Sequence, residues 1–370
     1  MGKKLKSKVY LSFSLPQKLS CAVNGRNLKF SETLANSLEE TKKQSLLKDK
    51  KLILVLDLDH TLIHTVQGLV NDPNVHHFDI DGNVFSTKLR PFLSEFLERL
   101  SRLYEFCVYT MGSHKYADQI VELVDPQQKY FSNRVISKDQ SDSKDKKSLK
   151  ILLPSSDSMA VILDDTNEVW PESENLVLAD KFLYFSDVNL YNEKIAGNND
   201  WYLHYIAEVF EKLHERFYAR PGMDVKEILR DLQKEVLDGC KIVLSGIISQ
   251  EEPPESNFFW KIIQKFGGTC QKELAHDTTH VVSKAMGTKK TKIASKMGIQ
   301  VLSLIWLHLS TSYWVRLPEH YFTFDNIGSF DMTSLVNFLK LKKSDVLKKS
   351  KREESLESEE SESDESESSD

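Results

Sequence analysis

The sequence predicts an α/β protein: a doubly wound parallel sheet with a small β insertion, then a helical segment, then a smaller C-terminal α/β unit. Three observations lead there. The apolar runs Leu52–Leu56 and Met159–Leu163 each stop at an aspartate, as strands buried on both faces do. Helix-period segments alternate with such runs, the pattern of parallel βαβ units. At 370 residues the chain has room for two or three cores.

Residues 1–50 carry eleven Lys or Arg against four acids and little periodicity, so they are read as a basic, loosely ordered arm with a helix near Ser31–Leu47. Strand Leu52–Leu56 opens the sheet. His77–Leu89 alternates around Asp81-Gly82-Asn83, which predicts a hairpin insertion. Arg90-Pro91 opens a helix bearing Leu93, Phe96, Leu97 and Leu100, with Pro91 in its first turn. A strand at Phe106–Tyr109, a helix at Tyr116–Val124 and the strands Met159–Leu163 and Leu176–Leu178 follow. Residues 187–235 turn helical, with Trp201, Tyr205, Ala207, Val209, Phe210, Leu213 and Phe217 on one broad face. The second unit alternates again: strand Lys241–Leu244, helix Phe258–Phe266, strand His280–Val282, helix Lys290–Met297, strand Val301–Leu302 and a helix with Trp306. After Ser329 come a helix-like stretch, a basic cluster from Lys342 to Arg352, and a tail.

Composition excludes several classes. No apolar run approaches the roughly 20 residues that span a bilayer, so no membrane association is expected. Lys3, Lys4 and Lys6 are not followed by a signal-peptide apolar core. Cys21, Cys107, Cys240 and Cys270 are scattered without a paired spacing, against zinc or a disulfide framework. The net charge of −6 is a sum over unlike parts, because Glu353–Asp370 alone holds ten acids and no base. Such a tail cannot form a core and is read as disordered.

Three predicted strands end in polar clusters: Asp57-Leu58-Asp59-His60-Thr61, Thr110-Met111-Gly112 and Asp164-Asp165. Ligands bind outside the carboxyl ends of strands in open parallel sheets, so these clusters are expected to share one crevice. Four carboxylates there repel unless a cation neutralises them, and hard oxygen donors favour Mg²⁺ over zinc. One carboxylate can attack an electrophile while its neighbour moves protons, which suits phosphoryl transfer.

The ordered segments LDLDHTLIHT, KLRPFLSEFL, VYTMGSHKYA, NRVISKD and VILDDTNEVW resemble the FCP-type phosphatases of the RNA polymerase II C-terminal repeat domain, in the haloacid-dehalogenase superfamily. The resemblance covers roughly residues 50–325. It implies Asp57 as the nucleophile that becomes an aspartyl-phosphate, and Asp59 as the acid that protonates the leaving seryl oxygen and then activates water. It implies Thr110 and Lys147 on phosphate oxygens, Lys147 being chosen over Lys144, Lys146 and Lys150, and Arg134 as a substrate contact. Mg²⁺ would sit on the Asp57 and Asp165 carboxylates and the Asp59 carbonyl, with Asp164 in support. Read without the resemblance, Thr110 is a capping residue, His60 and Thr61 are loop-forming neighbours, and Trp170 and Trp201 are core. The paired aspartates have no comparable structural excuse, since burying unpaired charge is costly.

LDGCKIVLSG, FGGTC, THVVS and VLSLIWLHLS resemble a BRCT domain. For the BRCT domains that bind phosphopeptides, the resemblance implies contacts from Ser245, Gly246 and one helix lysine, taken as Lys292 over Lys289 and Lys290; an architectural or protein-binding module is the alternative. The division expected is a basic arm at 1–50, a phosphatase domain at 51–186, a helical segment at 187–235, a BRCT domain at 236–325, a basic linker at 326–352 and the acidic tail at 353–370. The resemblance further implies a nuclear protein serine phosphatase acting on the polymerase repeat domain, with TFIIF as a partner of the acidic tail and no direct nucleic-acid partner. The tail's one apolar anchor is Leu356. A catalytically silent scaffold is the reading from another class, and the intact set of Asp57, Asp59, Thr110, Lys147, Asp164 and Asp165 speaks against it.

Overall fold

The computed structural model describes residues 19–327 apart from 24–25, 31, 142, 154–156, 172, 186–199, 221, 250 and 252, with side chains from 37 onward except 38. The cluster at Lys3–Lys8, the stretch after Ser329, the Lys342–Arg352 cluster and the acidic tail lie outside the described residues.

An antiparallel hairpin, β1 (Leu19–Val23) and β2 (Arg26–Phe30), leads into helix α1 (Glu32–Lys48). The arm is therefore not loosely ordered throughout. Leu46 of α1 is buried in the main core, and Lys42 pairs with Glu105 at 2.5 Å. Then come β3 (Leu52–Leu56), β4 (Ile63–Gln67), β5 (His76–Ile80), β6 (Asn83–Leu89), α2 (Leu93–Leu100), β7 (Tyr104–Tyr109), α3 (His114–Val124), β8 (Val135–Ile136), β9 (Ala160–Asp164) and β10 (Leu176–Leu178).

Five of these strands form one parallel sheet in the order β10–β9–β3–β7–β8. Every residue of β3 and β9 is buried, so both faces of the sheet are covered, as continuous apolar runs require. Leu56 pairs with Val108 on one side and Leu163 on the other, which brings Asp57, Thr110 and Asp164 out at the same edge.

The insertion has three strands in the order β4–β6–β5, one more than a hairpin, because the residues just after the first aspartate pair also pair with β6. Asp81 and Gly82 turn its tip at φ 54° and 83°, the left-handed pair of a type I′ turn. Helix α2 starts at Leu93, after Pro91, with Phe92 at φ 64° ahead of it. The reason lies in Arg90, which is 2% exposed and bound to Asp200 at 2.9 Å and to the Thr61 carbonyl at 3.0 Å. Its guanidinium also lies 4.3 Å from the Tyr202 ring centroid. Drawing that side chain inward sets the turn that precedes the helix.

Helices α4 (Tyr202–Ala219) and α5 (Val225–Lys234) follow, α4 packing on α2. The second unit comprises β11 (Lys241–Ser245), α6 (Phe258–Lys265), β12 (Thr269–Gln271), β13 (His280–Ser283), α7 (Lys289–Lys296), β14 (Gln300–Ser303) and α8 (Leu304–Ser312). Its parallel sheet runs β12–β11–β13–β14. Alternation divides its side chains: Ile242, Leu244, Val282 and Leu302 join Trp306 in the main core, while Val243 and Val281 meet Ala294 of α7 on the other face. That main core runs continuously into the first unit. Across the junction, His308 of α8 lies 3.0 Å from Asp180, and the rings of Tyr202 and Tyr313 are 5.7 Å apart.

Candidate active site

The chain turns sharply as it leaves β3. His60 takes φ 60°, a left-handed conformation costing a non-glycine residue on the order of 1 kcal/mol or more. Surrounding bonds hold it there. The His60 amide donates to the Ile63 carbonyl at 2.7 Å, the Phe182 amide donates to the His60 carbonyl at 2.7 Å, and His60 Nδ1 donates to the Phe182 carbonyl at 3.2 Å. The Thr61 hydroxyl accepts from the Asp165 amide at 3.1 Å, tying this loop to the end of β9.

Lys147 is the central cation. Its Nζ lies 2.5 Å from Asp57 Oδ1 and 2.6 Å from Asp164 Oδ2, and it is 3% exposed. An ammonium has three donors, so one remains for a further oxygen. Asp164 is fully engaged: Oδ2 also accepts from Trp170 Nε1 at 2.8 Å, and Oδ1 from the Thr166 amide at 2.9 Å. Asp165 accepts from the Thr166 hydroxyl at 3.1 Å and faces the half-exposed Lys181 at 3.3 Å. Asp59 accepts from the Tyr116 hydroxyl at 2.5 Å.

Burial governs the electrostatics. It raises the Asp57 carboxyl above its ordinary value, with the Asp164 and Asp59 charges adding to it and Lys147 pulling back. Burial raises Asp59 too, against the Tyr116 hydrogen bond. On Lys147 burial works the other way, but Asp57 and Asp164 outweigh it and hold the ammonium above its usual range.

Oxygens of Asp57, Asp164 and Asp165 lie within 4.8 Å of one another, all buried. Asp57, Asp164 and Asp165 outnumber the two lysines that face them, Lys147 and Lys181, so the crevice keeps negative charge that a cation would offset. The donors are hard oxygens without sulfur or imidazole, so the residues fit a divalent ion of the Mg²⁺ kind.

The family described as NLI interacting factor-like phosphatase matches residues 52–215, the stretch that builds this crevice. By that match, residues 52–215 are similar to a phosphatase domain of that family. The twin BRCT domain family matches residues 240–306. An RNA polymerase II C-terminal domain phosphatase of Caenorhabditis elegans is 30% identical over 319 residues, 79% of this chain and 48% of that protein. RNA polymerase II C-terminal domain phosphatase-like 4 of Arabidopsis thaliana is 29% identical over 337 residues, 82% of this chain and 76% of that protein. The chain thus spans about half the length of the nematode relative. A solved structure described as Fcp1, an essential RNA polymerase II CTD phosphatase, superposes with a TM-score of 0.66 at 28% identity, covering 77% of this chain and 99% of that one.

Within the phosphatase domain, Asp57, Lys147, Asp164 and Asp165 come together directly, and Asp59 lies on the same loop as Asp57. Thr110 is buried at the end of β7, its hydroxyl accepting from the Gly112 amide at 2.9 Å. Arg134 is not brought to the crevice. Its guanidinium donates to the carbonyls of Phe106 and Tyr130 at 2.7 and 2.6 Å, and Phe106 lies four residues before Thr110, about 13 Å at the rise of a strand. Trp170 does more than fill core, since it orients Asp164, while Trp201 is half-buried and packs tilted against Phe92, the ring centroids 4.3 Å apart. In the BRCT domain Ser245 is buried and shares a 2.7 Å hydrogen bond with Thr288, which caps α7. Gly246 takes φ 65° beside Thr288, and Lys292 is exposed on the same first turn of α7. Lys290 is committed elsewhere, to the Lys272 carbonyl and Glu273. Sequence reasoning missed Tyr116, Lys181 and Arg90, whose partners lie 57, 16 and 110 residues away.

Proposed function

We propose that this chain is a Mg²⁺-dependent protein serine phosphatase that removes phosphate from the C-terminal repeat domain of RNA polymerase II. The observation that carries the reading is Lys147 bridging Asp57 and Asp164 beside Asp165, at the carboxyl edge of a phosphatase-family sheet. The names of the relatives support the substrate. The ion would be held by the Asp57 and Asp165 carboxylates and the Asp59 carbonyl, with Asp164 in support. When bound it supplies charge neutralisation between carboxylates and phosphate.

The residues then divide the work. Asp57 attacks phosphorus through the carboxylate oxygen that Lys147 leaves free, the bond to the seryl oxygen breaks, and that oxygen takes a proton from Asp59. Asp59, now a carboxylate, removes a proton from water as it attacks the phosphoryl group on Asp57. The remaining Lys147 proton and the Thr110 hydroxyl meet phosphate oxygens. The insertion is short, which leaves the crevice open to a phosphoserine on an extended segment.

The test is phosphate release from phosphorylated repeat peptides with and without Mg²⁺, comparing wild type with Asp57→Asn and Asp59→Asn. Equal release by all three would end the reading. The same reading gives the BRCT domain a phosphopeptide contact at Ser245, Gly246 and Lys292, the tail 353–370 a docking role for TFIIF, and the chain a nuclear site of action. Unchanged phosphopeptide binding by Lys292→Glu, unchanged TFIIF capture without the tail, or exclusion of tagged protein from the nucleus would remove each in turn.

A further inference from the structure

We infer that Tyr116 is a positioning residue for the proton-donating carboxyl of Asp59, acting through its hydroxyl and resting on the reading of Asp59 above. The tyrosyl oxygen lies 2.5 Å from Asp59 Oδ1 and 2.8 Å from Thr65 Oγ1. Thr65 Oγ1 in turn lies 2.8 Å from Thr87 Oγ1, its cross-strand partner in the insertion. A phenol has one proton, and an Asp59 carboxyl that holds its own proton on the other oxygen can only accept at Oδ1, so the Tyr116 proton goes to Asp59 Oδ1 and the Thr65 hydroxyl donates to the tyrosyl oxygen. Among the described residues, Tyr116 is the one side chain hydrogen-bonded to Asp59. Asp57, Asp164 and Asp165, by contrast, are each held by a lysine.

The ring is fixed independently of the hydroxyl. A Cβ at position 112 would lie 2.5 Å from Tyr116 Cδ1, so the ring occupies the space that Gly112 leaves. Phe78 and Phe85 of the insertion stand 6.0 and 6.3 Å from it, centroid to centroid. The Ser113 hydroxyl accepts from the Tyr116 amide at 3.3 Å, which fixes the first turn of α3. A rigid ring thus presents one donor to one oxygen of Asp59 and leaves the other oxygen for the substrate.

In the attack step the Asp57 oxygen to phosphorus bond forms, the phosphorus to seryl oxygen bond breaks, and the seryl oxygen takes the proton from the free oxygen of Asp59. Tyr116 keeps its own proton throughout. Its contribution is to hold the Asp59 carboxyl in line with the leaving oxygen, where a misplacement of ~1 Å costs on the order of 100-fold.

The experiment compares the full chain and its Tyr116→Phe variant with Mg²⁺ on a phosphoserine repeat peptide and on p-nitrophenyl phosphate. The second substrate has a leaving group that needs little protonation. The parameter is kcat/KM, which covers only the steps up to phosphorylation of Asp57, so the later use of Asp59 as base does not enter. We expect the kcat/KM for the peptide to fall about 10- to 100-fold, and the ratio of the two substrates to shift at least about 10-fold toward p-nitrophenyl phosphate. Thr65→Val, which removes the hydroxyl behind Tyr116, shifts the ratio in the same direction by less. An equal fall on both substrates, the mark of a merely structural role, would overturn the inference, and so would no fall on either. Asp59→Asn separates the two ideas. If it matches wild type on the peptide, the role of Asp59 fails and this inference with it. If it is inactive while Tyr116→Phe matches wild type, the positioning role alone fails.

Discussion

Replacing Arg90 with alanine strips a buried carboxylate of its partner. Asp200 is 4% exposed, accepts from the Tyr202 amide at 2.8 Å at the start of α4, and meets Arg90 at 2.9 Å. Removing one member of a buried pair costs about 3–5 kcal/mol. The lost bond to the Thr61 carbonyl adds about 1 kcal/mol. Against a stability of roughly 5–15 kcal/mol that is a large share. It lowers the unfolding midpoint by roughly 8–24 °C for a domain of this size. The loss also depends on pH. Burial already raises the Asp200 carboxyl above its ordinary value, with Arg90 pulling it down. Without Arg90 it rises further, so the ionised form is the unfavourable one and the deficit grows as pH increases. Thermal unfolding of the full chain at pH 5 and pH 8 reads both effects. The double variant Arg90→Met with Asp200→Leu recovers much of the loss, because no charge is then left behind. A deficit under about 1 kcal/mol, or one equal at both pH values, would refute the reasoning.

Further expectations concern the acidic crevice, the domain junction and one glycine. Trp170→Phe removes the 2.8 Å bond to Asp164 and is expected to raise the Mg²⁺ concentration for half-maximal phosphate release by about 10- to 100-fold, measured by titration. His308 lies 3.0 Å from Asp180; burial opposes its charge, but Asp180 outweighs it and raises the imidazole above 6.5. The pair therefore stabilises fully below pH 6.5 and fades as pH climbs through the raised value, so stability curves of wild type and His308→Gln should converge above it. Parallel curves would contradict this. At Gly267, φ is 86° and an added Cβ would lie 1.9 Å from the Lys234 carbonyl oxygen, so Gly267→Ala should destabilise by more than the ~1–3 kcal/mol of backbone strain alone, read by urea unfolding.

The centre of the phosphatase domain was legible because its signals are local. Strands buried on both faces read as unbroken apolar runs, and aspartates at their ends stand out against that background, as Asp57 and Asp164 do. The alternation of the BRCT sheet was legible for a similar reason, although β12 is three residues long and escaped notice. What stayed hidden depends on long-range pairing. Nothing near Arg90 announces Asp200, and without that pair Pro91 looks like a first-turn proline. Ile63–Gln67 begins inside the segment LDLDHTLIHT and runs two residues past it, so its pairing with β6 gives no separate pattern. Arg134 matched a motif position, yet two backbone carbonyls within reach claim its guanidinium. Tyr116 reads as an ordinary helix aromatic until the fold brings Asp59 to its hydroxyl.

The central claim is that Asp57 carries the phosphoryl group. The measurement that tests it most directly is acid quenching of wild type mixed rapidly with phosphorylated repeat peptide and Mg²⁺, followed by peptide mapping. The account predicts transient phosphate on the peptide containing Asp57, absent in Asp57→Asn. Phosphate release at the wild-type rate from Asp57→Asn, or a label on any other residue, would contradict it.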